Sequence, residues 1–284
     1  MHRILLSSAA ILSLTAGTGF AAGHASTMGY ALADDGSTLV VMPDIAAPAD
    51  AQTFELETAL DAIAFRPVTG DLLGLTDGMV YTINPADGTL NDLGATFMED
   101  ATIGEDAMVA FDFNNAIDAV RAVSSAGDNL VYFPDGFGDG DEKAGSVRRM
   151  TDLAYAEEDE NAGATPMVFA NAYTNAIAGK TAGSTFQYGL DAGTDALVSI
   201  ANNAGTLATI APITVGGETV DLSGMGGFDI LSAEEGSDAA YAVLQMEGAE
   251  TAGLYSIDLE TGAATLLSDL GMGGLSGFAV SAGM

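Results

Sequence analysis

Carboxylates dominate the chemistry on offer in this chain. The segment DGFGDGDE sets Asp135, Asp139, Asp141 and Glu142 on a glycine-containing loop. Calcium takes several carboxylate and carbonyl oxygens in flexible geometry, so these residue types suit a Ca2+ site. Their spacing departs from the EF-hand pattern, and a plain solvated loop uses the same residues. A second acidic run, EEDEN from Glu157 to Asn161, repels itself unless a cation or an arginine such as Arg148 or Arg149 stands close, and it reads first as plain surface. Asp112 and Asp229 form a third set, each directly following an aromatic residue in VAFDF and GFDI. Alternation along a strand turns such residues toward a central channel or an interface between units. There they would bind a ligand or cation or support acid–base hydrolysis. The structural alternative has them bonding a neighbouring backbone or pairing with Arg66 or Arg121.

Other chemistries lack their residues. Cysteine is absent, and both histidines, His2 and His24, lie at the extreme N-terminus. A Ser-His-Asp triad, imidazole or thiolate metal sites and haem ligation are therefore not expected. Tryptophan is absent too, which weakens a sugar-cleaving reading because sugar faces stack on aromatic platforms. The glycine-rich GMGGF from Gly224 and GMGGLSGF from Gly271 precede strands and lack the lysine of a phosphate-binding loop. They read as crossings between units. The net charge of −33, from 40 acidic and 7 basic residues, repels nucleic acid and anionic membrane surfaces.

The elements that must position these residues are strands. Short stretches rich in Val, Ile, Leu, Phe, Tyr and Thr alternate with Gly, Asp and Asn turns. One motif, a small residue followed by aromatic and apolar positions, recurs as AIAF from Ala62, VAFDF from Val109, VFANAY from Val168, GFDI from Gly227 and GFAV from Gly277. The period of roughly 50 residues, with several strands in each repeat, is that of a propeller. After four of these motifs come a second strand (from Asp71, Ala119, Thr185 and Ala239), a third (from Met79, Asn129, Ala196 and Gly253) and a fourth (from Thr89, Val147, Thr206 and Ala264). The fifth motif, at the C-terminus, has no strands after it. The N-terminus supplies the missing three as GYALA from Gly29, TLVVMP from Thr38 and QTFEL from Gln52. The expectation is an all-β, single five-bladed β-propeller over residues 26–284, closed by pairing the C-terminal strand with the N-terminal blade.

Several of these segments also resemble a known family. FRPVTGDLLGLTDGMVYTINPADGTL (Phe65 to Leu90), FDFNNAIDAVRAVSSAGDNLVYFPD (Phe111 to Asp135), DENAGATP leading to NAYTN (Asp159 to Asn175) and GLYSIDLETGAATLL (Gly253 to Leu267) resemble the uncharacterised bacterial family called domain of unknown function 4394. The resemblance runs from about Gly29 to Val280. It implies a secreted, propeller-like protein and brings no activity with it. Asn115 stands where the family usually has proline, and the acidic insert from Asp135 to Glu142 is long for it.

The first residues read as a secretory signal: Arg3, an apolar run from Ile4 to Leu14, then small residues with cleavage after Ala21, Ala22 or Ala25. No later stretch approaches the roughly 18 apolar residues of a membrane helix. The chain is expected in the periplasm or outside the cell as a monomer. Its expected role is a binding or scaffold module for a small molecule or protein, with Ca2+ as the candidate cofactor. The alternative is a metal-assisted hydrolase or lyase using carboxylates at the propeller mouth, by analogy of fold alone.

Overall fold

The computed structural model describes residues 26–76 and 78–283. The N-terminal segment read as a signal, residues 1–25, lies outside the described residues. The fold is all-β. Among the described residues the helical pieces are three single 3-10 turns, Pro48–Asp50, Phe137–Asp139 and Asn202–Ala204. In chain order the strands begin with β1 (Thr27–Ala33), β2 (Thr38–Met42) and β3 (Gln52–Glu55). Next come β4 (Ala62–Arg66), β5 (Asp71–Thr76), β6 (Met79–Ile83) and β7 (Leu90–Asp92). A third group is β8 (Thr96–Phe97), β9 (Val109–Asn114), β10 (Ala119–Ser124), β11 (Asn129–Phe133) and β12 (Ser146–Arg149). A fourth is β13 (Ala154–Tyr155), β14 (Val168–Tyr173), β15 (Gln187–Asp191), β16 (Ala196–Ile200) and β17 (Thr206–Pro212). The last is β18 (Thr214–Val215), β19 (Glu218–Thr219), β20 (Leu222–Ser232), β21 (Asp238–Met246), β22 (Gly253–Ile257), β23 (Ala263–Asp269) and β24 (Ser276–Ala282).

These strands make four sheets, none closed on itself. β4 to β7 form one antiparallel meander, and β9 to β12 and β14 to β17 form two more. The ten-stranded sheet holds two further units, β20 to β23 and β24-β1-β2-β3, joined through a single parallel bridge between Gly226 and Ser276. The chain ends meet as expected. β24 pairs antiparallel with β1, setting Tyr30 opposite Ala279 and Thr27 opposite Ala282. Burial explains the pairing: one end alone exposes Leu32 and the other Phe278, and both are buried once zipped.

The expected fourth strand VRRMTDLAY divides. Ser146–Arg149 completes its own sheet, while Ala154–Tyr155 crosses to pair in parallel with β17 of the next. β8 on β12 and β18 on β23 repeat this arrangement, each covering an outer edge that would otherwise present unpaired backbone groups.

The core is divided among the seams. Leu73 and Val80 pack with Phe111 and Phe113 between the β4–β7 and β9–β12 units. Val123 meets Val168 and Leu207 at the next seam, and Phe169 and Leu197 meet Phe228 and Ile230 at the one after. Leu231 and Val243 meet Val40 and Phe278, and Leu32 and Leu39 return to Ile63 and Leu72. The first strands follow the same cycle, β4 beside β9, then β14, β20, β24 and β4 again. The glycine run expected before a strand lies inside β20, and Gly227 explains it: a Cβ there would lie 2.3 Å from the Phe278 nitrogen, so only glycine admits β24 so closely. GMGGF is a contact surface for a strand.

Candidate functional site

Asp112 and Asp229 come from β9 and β20, the strands on either side of β14, and they line one recess of about 10 Å3, room for about one water. All five first strands, or the turns just after them, contribute to its wall, among them Phe65, Ala176, Leu231 and Val280. Each aspartate is only 5% exposed. Each also reaches to the following unit. Tyr173 N–H donates to Asp112 Oδ2 (2.6 Å), and Val280 N–H donates to Asp229 Oδ2 (2.6 Å). Ile230 N–H donates to Asp229 Oδ1 (2.6 Å). Burial pushes the Asp112 carboxyl well above the usual range, and the charge of Asp229 pushes it further. Burial likewise raises Asp229, to about 7, against the backbone donors.

The arginines expected beside this pair go elsewhere. Arg66 forms a two-pronged ion pair with Asp118 and lies over the Phe113 ring. Arg121 is directly opposite Asp112 in the β9–β10 register, yet it makes no ion pair among the described residues. Its Nε–H donates to Tyr173 Oη (2.7 Å), Nη1 to Asn129 Oδ1 and Nη2 to Asn203 Oδ1 (2.8 Å). Tyr173 Oη also lies within bonding distance of Gln187 Oε1 (2.8 Å) and Asn202 Oδ1 (2.9 Å). Burial pushes the Tyr173 phenol up to about 12 against the opposing pull of Arg121.

The acidic loop is not drawn into a ligand set. Asp135, Asp139 and Glu142 are exposed, and Asp141 Oδ1 accepts the Lys143 N–H (2.9 Å) within its own turn. Among the described residues no three Asp, Glu or His side chains are grouped to hold a metal ion. The calcium expectation gains no support from this placement. Glu157, Glu158 and Glu160 of the EEDEN run are exposed, as the plain-surface reading has them. Asp159 accepts from Thr209 N–H (2.7 Å) and Oγ1–H (2.8 Å), tying the run to β17. Arg149 pairs instead with Asp128 and Asp152, and Arg148 donates to the Glu142 carbonyl.

Larger space lies at the other ends of the first strands. A cleft of about 340 Å3 is lined by Asp61, Thr76, Phe97, Ile103, Glu105 and Asp106, among others. A neighbouring one of about 190 Å3 shares Asp61 and Asp106 and adds Asp35, Leu60, Met108 and Met225. The four carboxylates are exposed, whereas Leu60 is 2% exposed. Acidic groups thus rim a partly apolar floor. Nothing in the repeat pattern marked these residues.

The model of one protein family, described as a domain of unknown function (DUF4394), matches residues 42–279. The chain belongs to this family. No curated protein matches it. Solved structures similar to this DUF4394 chain include a protein of unknown function from Bacteroides caccae. That likeness has 8% identity and a TM-score of 0.41, and covers 90% of this chain and 98% of the other. An auxiliary nutrient binding protein from Bacteroides ovatus shares 13% identity over 74% of this chain and 52% of its own, with a TM-score of 0.43. The dihydro-heme d1 dehydrogenase NirN shares 8% over 85% and 53%, with a TM-score of 0.36. In this DUF4394 chain the motif residues Tyr173, Asn175 and Asp159 all hold strands and turns together. Asn175, for example, bonds Ser184, Gly236 and Asp238.

Proposed function

We propose that the protein is an exported, monomeric binding module, a five-bladed β-propeller that takes a cationic, partly apolar ligand in the cleft beside Glu105 and Asp106. The five seam clusters, each shared by successive units in a cycle, support the propeller reading. Export to the periplasm or beyond rests on the sequence of the first 25 residues. Among the described residues no helix is long and apolar enough to cross a membrane.

One observation carries the binding assignment. The largest of these clefts sets exposed carboxylates around Phe97 and Ile103, which suits an amine with an apolar body. Hydrolysis by Asp112 and Asp229 finds less support, because their recess admits about one water and no substrate.

Isothermal titration with spermidine and with a lysine- and leucine-containing peptide tests this. Binding should appear at low salt, weaken in 0.5 M NaCl (about three times physiological ionic strength) and fall about tenfold in an E105Q/D106N variant. Asparagine tolerates the positive φ of Asp106, so that change leaves the loop intact. Equal binding by the variant, or a preference for neutral oligosaccharides, would overturn the assignment.

A further inference from the structure

We propose that Asp112 and Asp229 together retain a proton at neutral pH, and that losing it loosens the ring of first strands they hold. The geometry carries this. Both carboxylates line one water-sized recess whose other walls are apolar side chains and backbone. Each grips a backbone N–H of the next unit, Asp112 across the β9–β14 seam and Asp229 across the β20–β24 seam. Two negative charges in so dry a space repel strongly, and one proton removes most of that cost.

The strands around the recess offer no cation in exchange, and Lys180, on the turn after β14, is exposed. On β4, Arg66 is committed to Asp118. On β10, Arg121 is spread over Asn129, Tyr173 and Asn203. On β14 the phenol of Tyr173 joins that same cluster, and on β21 Tyr241 stands opposite Asp229 while Asp238 holds Ser232 and Asn175. On β15 Asp191 is held by Tyr155, and Tyr188 is the other titratable group there. On β1 Tyr30 bonds Ser281, and β24 carries no ionisable side chain.

The direction of the pH effect follows. An unfolded aspartate releases its proton at about pH 3.9, whereas in the folded chain Asp229 holds its proton to about pH 7 and burial raises Asp112 well above the usual range. Between those limits the folded chain binds more protons, so its stability declines as pH rises through the window. The net charge of −33 produces a decline of the same sign by general repulsion. Salt separates the two, since exposed charges are screened and the buried pair is not.

Melting of the full chain would be followed from about pH 5 to pH 9 in high salt, for wild type, D112N, D229N and the double variant. The wild-type Tm should fall with pH, each single variant should lessen the fall, and the double variant should be nearly flat. At the alkaline end the double variant should melt about 2–4 °C or more above wild type. Infrared spectra at neutral pH give a second readout that needs no variant to be stable. A protonated-carboxyl C=O band should be present in wild type and disappear on raising the pH. A double variant that keeps the wild-type slope, or a wild type lacking the band, would refute the proposal. A Ca2+-dependent rise in wild-type Tm that the double variant loses would also refute it, showing that a cation neutralises the pair.

Discussion

Asp112 and Arg121 face one another across β9 and β10, and both end at Tyr173, yet they solve burial in opposite ways. Arg121 cannot discharge, so it is met by three neutral acceptors, Asn129, Asn203 and the Tyr173 hydroxyl. Asp112 can take a proton, so one strong backbone donor from Tyr173 and a protonatable neighbour suffice. Buried charge of fixed sign demands partners; buried charge that can titrate demands less. The two centres should therefore respond differently to mutation and to pH.

The largest effect is expected at the arginine. R121M leaves the buried Asn129 and Tyr173 oxygens without this donor, at roughly 1 kcal/mol or more each, while the exposed Asn203 turns to water, so urea denaturation should show a loss of about 2 kcal/mol or more. R121K should recover little, because one ammonium cannot match the forked geometry. The loss should persist at every pH, since the guanidinium does not titrate.

Y173F sharpens the contrast. It removes the hydroxyl shared by Arg121, Gln187 and Asn202 but keeps the N–H that holds Asp112. A cost of about 1–3 kcal/mol in chemical denaturation is expected, with the pH slope from Asp112 and Asp229 unchanged. Loss of that slope would mean the two centres act as one.

A smaller effect is expected at Asp128, a buried aspartate that stays ionised. Burial alone would raise it, but Ser124, Gly104 and Arg149 outweigh that and hold its carboxyl below the usual range. Its stabilisation is present above the unfolded value of about 3.9 and is lost as pH falls through the lowered folded value. R149M should cost about 1 kcal/mol at neutral pH, as expected of a part-exposed ion pair, and shift the acid-unfolding midpoint upward. An unchanged midpoint would show that Ser124 and Gly104 alone set the ionisation of Asp128.

Much of this architecture was legible in the residues. The repeated strand motif located the first strands at Ala62, Val109, Val168, Gly227 and Gly277, and strand alternation left Asp112 and Asp229 facing either a central channel or an interface between units. The complementary chain ends announced the β1–β24 pairing. The polar partners were not legible. Asn202 and Asn203 lie on a 3-10 turn of a different unit from Arg121, and no local pattern ties them to it. Arg149 was equally able to meet Glu157 or Asp128 until the course of the β12–β13 connection was known. The acidic loop from Asp135 to Glu142 had the right residue types for calcium, but ligation depends on oxygens converging, which composition does not encode.

The sequence by itself determined the strands and their repeat, because side-chain alternation and turn chemistry are local properties of the chain. Tertiary structure alone decided which charges are neutralised, by what, and where open space remains. Those outcomes depend on dielectric and on distances between units far apart in the chain.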